Sequence, residues 1–280
     1  MTEINVGGVG IWRSWSGLSP ELAREVELLG YGTIWIGGSP SGDLGIAERL
    51  LAATDRIMVA TGIVNMWATP AEEAAASYHR LNSAHGGRFL LGVGIGHREA
   101  TQDYRKPYEK IVDYLDRLDA QEVPVSGRVL AALGPKVLRL SAERAAGAHP
   151  YLTTPEHTRQ ARAELGEWPL LAPEQKVIVD TDAGRARALA RENLSGTYLK
   201  MRNYVANLER LGFTRADFAG EGSDALMDAL VAHGGPEAAA ARVTEHLDAG
   251  ADHVAVQVLT GSGQDPLPAL RAVAEALNLG

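Results

Sequence analysis

Short β-branched runs alternate with amphipathic segments rich in Ala, Leu, Glu and Arg along almost the whole chain. The run 4–12 (INVGGVGIW) predicts a first strand. Residues 19–30 (SPELAREVELLG) follow the helical period, with Ser19 as N-cap, Pro20 in the first turn and Gly30 as the stop. Segments 33–38 and 43–54 predict strand two and its helix, and 56–65 predicts strand three. A helix over 69–87 opens on Thr69, Pro70 and Glu72, a strong start signal. Strand four is 88–96 (RFLLGVGIG).

The rhythm persists with a helix at 108–120, strand five at 128–134, a helix at 135–147 and a short strand six at 148–154. A helix at 155–166 and strand seven at 176–182 come next. Region 183–250 is read as helical: a long stretch to 212, a loop at 214–223, then the helices DALMDALVAHG and PEAAAARVTEHLDAG. Strand eight at 253–261 and a helix at 266–277 close the pattern. Each strand is followed by a helix, and every connection is long enough for a parallel crossover. The prediction is an α/β fold, a single (β/α)8 TIM barrel in one domain.

The glycines of strand four first invite a dinucleotide-binding reading. Gly92, Gly94 and Gly96 give G-x-G-x-G, however, and His97 stands where the third fingerprint glycine belongs. No helix begins at once to meet a pyrophosphate, because a polar run containing Pro107 follows. The glycines therefore belong inside and at the end of a strand.

A length of 280 residues suits one such barrel, and 45% hydrophobic residues suffice for a large core. A net charge of −8 argues against nucleic acid or an anionic membrane as partner. Without cysteine there is no disulfide, thiolate metal site or cysteine nucleophile. No signal-peptide pattern and no apolar run of membrane-spanning length is read, so a cytoplasmic protein with a small-molecule substrate is expected. Metal, serine-hydrolase and NTPase motifs are absent.

A barrel places chemistry at the carboxyl ends of its strands. Trp12 and Trp15 after strand one and Trp67 after strand three offer stacking surface for a planar ligand, or cap the barrel mouth as core. Gly134, Pro135 and Lys136 open a helix with free amides and a cation, an anion site or an ordinary helix start. His97 and Arg98 follow the glycine-rich strand end. Asp180 and Asp182 end a strand and cap the next helix.

Residues 31–97 carry something more specific. Thr61-Gly62-Ile63-Val64-Asn65, Pro70, a helix of small residues and Gly86-Gly87-Arg88-Phe89 through Gly96 resemble the luciferase-like flavin and deazaflavin oxidoreductase family. The segment 131–147 (AALGPKVLRLSAERAAG) looks like that family's fifth strand and helix, where glycine and neighbouring amides contact the cofactor phosphate. The resemblance implies a bacterial-luciferase-like barrel, a homodimer, and a cofactor with its tricyclic ring over strand three. In the branch that uses coenzyme F420, strand three carries a bulge with a non-prolyl cis peptide, which alignment puts at Gly62–Ile63.

On that resemblance the chain is read as an F420-dependent oxidoreductase, moving a hydride between the deazaflavin C5 and a small organic substrate. Trp12, Gly37, Ser39, Gly62, Ile63, Asn65 and the turn Gly134-Pro135-Lys136 would hold the cofactor. Gly94 and Gly96 would keep the wall beside it thin, so Gly94→Val should abolish binding while leaving the fold largely intact. Relatives that oxidise alcohols carry Asp-His after strand two. Here Gly37-Gly38-Ser39-Pro40 stands there, which favours reduction of an activated double bond or imine, with the proton from His97, Tyr151 or solvent. The rival readings are an FMN-dependent monooxygenase of the same family and a non-catalytic deazaflavin-binding protein. A cofactor-free barrel is disfavoured because no carboxylate–lysine constellation is read at the strand ends.

Overall fold

The computed structural model describes residues 5–96 and 106–280. The chain opens with β1 (Val9–Ser14), α1 (Pro20–Leu28), β2 (Thr33–Gly37), α2 (Gly45–Ala52), β3 (Met58–Gly62) and β4 (Val64–Asn65). It continues through α3 (Ala71–Ala84), β5 (Phe89–Gly94), α4 (Pro107–Ala120), β6 (Arg128–Leu130), α5 (Pro135–Arg144) and β7 (Gly147–Ala148). Next come α6 (Pro155–Leu165), β8 (Leu170–Leu171), β9 (Glu174–Val179), α7 (Ala183–Leu194) and α8 (Arg202–Arg210). The last elements are α9 (Asp224–Leu230), β10 (Val231–Gly234), α10 (Pro236–Asp248), β11 (Val254–Val258) and α11 (Leu267–Ala276).

The strands form one curled parallel sheet in the order β10–β9–β11–β1–β2–β3–β5–β6–β7–β8, with β4 beside β5. The continuous segment 170–179 joins its two runs. On one side Ala172 N donates to Ala148 O and Glu174 N to Pro150 O, both at 2.9 Å. On the other, Ala255 N donates to Pro173 O and Leu259 N to Val177 O, again at 2.9 Å. Strand β2 is buried along its whole length (Thr33, Ile34, Trp35, Ile36, Gly37), as expected of a parallel strand covered on both faces. No helix among the described residues is long and apolar enough to cross a membrane.

The predicted strands appear, but as eleven segments. Strand three is broken by a bulge: Ala60 pairs with Leu90 and Val64 with Val93, so residues 61–63 face only 91 and 92. The Gly62–Ile63 peptide within it is cis. Predicted strand seven begins earlier, at β8, and the end of a predicted helix, Val231–Gly234, is strand β10 instead. There the edge of β9 offers Val231 and its neighbours parallel partners from Lys176 to Val179, which outweighs the helical period. The long helix predicted from 183 breaks after Leu194 and resumes as α8.

The motif residues of the first half are tied down by close approach. Thr61 Oγ1 donates to Gly92 O at 2.7 Å and accepts from Gly92 N at 2.8 Å, stitching β3 to β5 where the bulge interrupts the ladder. A Cβ on Gly92 would lie 1.8 Å from Thr61 O, so only glycine fits. Gly86 and Gly87, both at positive φ, turn the chain out of α3. Arg88 then reaches back to Leu51 O (2.8 Å) and Thr54 O (2.9 Å) at the end of α2 and to Ile57 O (3.1 Å) just before β3.

Candidate functional site

A cavity of about 470 Å³ opens at the carboxyl ends of the strands. Of the predicted residues, Trp12, Ser39, Gly62, Ile63, Asn65, Gly96, Gly134 and Tyr151 line it. Gly37 and Gly94 stand behind this lining. Pro135 and Lys136 are exposed beside it, and His97 and Arg98 lie outside the described residues.

Each lining residue has a structural reason for its place. Trp12, at the end of β1, donates Nε1–H to Gly62 O at 3.2 Å and meets the Tyr151 ring at a centroid distance of 5.0 Å. Gly37 gives that indole its room, since a Cβ there would lie 1.9 Å from Trp12 Cζ2. Asn65 accepts a hydrogen bond from Trp67 N at 2.9 Å, closing the turn that follows β4. Gly96 takes a positive φ of 63° next to the Asn65 amide. Gly94 supports Ile63: its Cβ would lie 2.9 Å from both Ile63 Cγ1 and Ala131 Cβ. Gly94→Val should therefore displace Ile63 and weaken binding of F420 or FMN. Because the crowding lies within the sheet, a stability loss of about 1–3 kcal/mol is also expected, rather than an untouched fold. Unchanged affinity in a ligand titration would remove Gly94 from the site.

Three tyrosines form the far wall. Tyr151 OH donates to Gln257 Oε1 at 3.0 Å and shares a 3.0 Å hydrogen bond with Tyr198 OH. Tyr204 packs against both rings, at 6.1 Å from Tyr151 and 5.6 Å from Tyr198. Burial pushes the Tyr151 hydroxyl well above the ordinary phenol value, so it keeps its proton at any physiological pH. Tyr198 and Tyr204 come from the region after α7, where the sequence shows only helical periodicity.

A buried carboxylate–lysine pair lies at the start of β9, away from the carboxyl strand ends that the sequence reading concerns. Lys176 Nζ lies 3.0 Å from both oxygens of Glu174 on β9, each side chain 1% exposed. The buried ammonium sits 3.8 Å from the Tyr151 ring centroid. Burial pushes the Glu174 carboxyl up and the Lys176 ammonium down. Residues two apart share a face only on a strand already placed, and the predicted strand seven begins at Lys176, which leaves Glu174 outside it.

Lys136 does not reach into the cavity; its ammonium lies 3.5 Å over the Tyr108 ring. Arg13 donates Nε–H to Gly17 O at 2.7 Å. Among the described residues Arg210 of α8 comes within 3.8 Å of where a Gly134 side chain would begin. Gly134 heads α5 with no side-chain cap, leaving amides free for an anion.

His149, also not foreseen, lines the cavity beneath Gly62. Its ring stacks on Trp35 at a centroid distance of 4.0 Å and an interplanar angle of 9°. Nδ1 lies 2.7 Å from Ala172 O and so carries the proton, which leaves Nε2 as an acceptor. Burial pulls this imidazole down to about 4, so it is neutral. A bare glycine at the cavity floor, an aromatic wall and an uncapped helix start beside an arginine together fit a planar ring compound carrying a phosphate.

Residues 19–122 match the luciferase-like monooxygenase family, which shows the resemblance read from the sequence. No curated protein sequence matches the chain. An F420-dependent secondary alcohol dehydrogenase, solved with an F420–acetone adduct, is 14% identical, covers 97% of this chain and 98% of its own, and has a TM-score of 0.74. The coenzyme F420-dependent tetrahydromethanopterin reductase of Methanopyrus kandleri is 17% identical over 97% of this chain and 98% of its own, with a TM-score of 0.69. The oxygenating constituent of 3,6-diketocamphane monooxygenase from Pseudomonas putida, in complex with FMN, is 13% identical over 95% of each chain, with a TM-score of 0.68. At these identities the likeness is one of fold.

Proposed function

We propose that the protein is an F420-dependent oxidoreductase acting on a small organic substrate. The observation that carries the reading is the cavity at the strand ends, floored by bare Gly62 beside the Trp12 indole and walled by Tyr151. Trp12, Ser39, Gly62, Ile63 and Asn65 would hold the deazaflavin ring, with Gly134 and Arg210 at its phosphate. The bound deazaflavin would supply hydride transfer at C5.

The chain's own contribution is positioning and a proton. The aromatic wall excludes water and offers stacking surface, and among the described lining residues none is charged. Tyr198 donates to Tyr151, which donates to Gln257; the Tyr198 hydroxyl, at the open end of this hydrogen-bond chain, would turn from Tyr151 to pass a proton to a substrate atom that gains electron density. Gln257 accepts from Tyr151 and fixes its direction.

The test is a pair of fluorescence titrations, one with F420 and one with FMN. Selective F420 binding at micromolar affinity or tighter, about −8 kcal/mol, is expected. Selective FMN binding would move the protein to the flavin monooxygenases, a reading supported by relatives of that kind among similar folds. Binding of neither would end both.

A further inference from the structure

His149 presents a hydrogen-bond acceptor that nothing on the protein satisfies. Among the described residues no side chain or backbone amide donates to Nε2, although the residue is only 1% exposed. The ring cannot turn to find a donor: Nδ1–H is held by Ala172 O and the flat face is stacked on Trp35. The neighbouring His253 shows the contrast. Its Nδ1 likewise lies 2.7 Å from a carbonyl, Gly7 O, but its Nε2 accepts from Trp35 Nε1 at 2.9 Å. Both imidazoles are thus set in the same tautomer, and only His149 lacks its donor.

The orphan nitrogen faces the cavity floor where Gly62 has no side chain. A Cβ built on Gly62 would lie 2.8 Å from His149 Nε2 and 2.9 Å from Trp12 Nε1. Glycine therefore keeps open the approach between an acceptor and an indole N–H. A buried acceptor without a donor costs about 1–3 kcal/mol, a cost removed when a ligand supplies the missing N–H or O–H.

We infer that His149 is a ligand-binding residue whose Nε2 accepts a hydrogen bond from an N–H or O–H of the ring compound seated over Gly62. This rests on the proposed cofactor reading and adds to it a polar contact from the residue that follows β7. FMN and F420 both carry an imide N–H on the ring, so either can meet the requirement, and an apolar ring without a donor cannot. The role is recognition: the imidazole orients and selects, and holds no proton for transfer.

The experiment uses the intact protein labelled with 15N-histidine, titrated with F420 and separately with FMN, together with the affinities of His149→Phe. Phenylalanine keeps the stack on Trp35 while removing the acceptor. The expected result is a shift of the His149 Nε2 resonance on saturation, away from that of a free lone pair, and binding weakened about tenfold in the variant, or about 1.4 kcal/mol. If a ligand binds while the Nε2 resonance stays still, or the variant binds equally well, the inference is overturned and the cofactor reading stands. If neither ligand binds, the cofactor reading falls and the inference with it. Should His149→Phe fail to fold, the wild-type resonance alone decides.

Discussion

Lys176→Met is expected to destabilise the protein by about 3–5 kcal/mol. The ammonium and both Glu174 oxygens are 3.0 Å apart and almost wholly shielded from water. Removing the cation strands a carboxylate with no competing solvent. The double variant Glu174→Gln/Lys176→Met should regain most of the loss, because the glutamine carbonyl can still accept the Leu152 N–H that Glu174 accepts at 3.1 Å. The single variant should also be pH-sensitive. Burial already raises the Glu174 carboxyl above its unfolded value, and losing Lys176 raises it further. Between the unfolded and the raised folded value, the folded state binds more protons than the unfolded one. Stability then falls as pH rises through that window and is recovered on the acid side. Urea denaturation at about pH 5 and about pH 8 measures both effects. Wild-type stability in the single variant would show that the pair contributes little.

Gly37→Val is expected to weaken F420 or FMN binding by at least about a hundredfold, or about 2.7 kcal/mol. A Cβ at Gly37 would lie 1.9 Å from Trp12 Cζ2 and 2.3 Å from Cη2, so the indole must leave its place. Its hydrogen bond to Gly62 O and its contact with Tyr151 go with it. Overpacking costs a further 1–3 kcal/mol, about the range for inserted core methylenes. Adding Trp12→Leu relieves the crowding and should restore stability, read by thermal unfolding, without restoring affinity. That split separates room for the indole from the indole itself. Retained affinity in Gly37→Val would take Trp12 out of the binding site.

The sequence signals that proved most informative are local. Ser19 Oγ accepts from Leu22 N, and Pro20 opens α1, as the helix-start pattern predicts. Thr61, Gly62 and Gly92 were legible as a motif, and their geometry shows why: Thr61 replaces ladder hydrogen bonds at the bulge, and Gly92 admits the Thr61 carbonyl. The sequence makes Gly37 a ligand contact, whereas its place is one layer back, beneath Trp12. The sequence makes Lys136 the cation at the helix start, yet its ammonium rests on Tyr108, with Arg210 nearer Gly134.

His149, Tyr198, Tyr204, Arg210 and the Glu174–Lys176 pair had no comparable signal. Each acquires its role from partners far away in the chain: His149 from Trp35 and Gly62, Lys176 from Tyr151, Arg210 from Gly134. By itself the sequence determined the alternation of strands and helices and the helix caps, because each depends on backbone conformation within a few residues; the glycines of close approach are legible only as a motif, their need set by neighbours more than twenty residues away. Only the tertiary structure decided which side chains meet at the cavity. Strand register and the curl of the sheet choose which alternate residues point inward, and those are set by hydrogen bonds between segments tens to hundreds of residues apart.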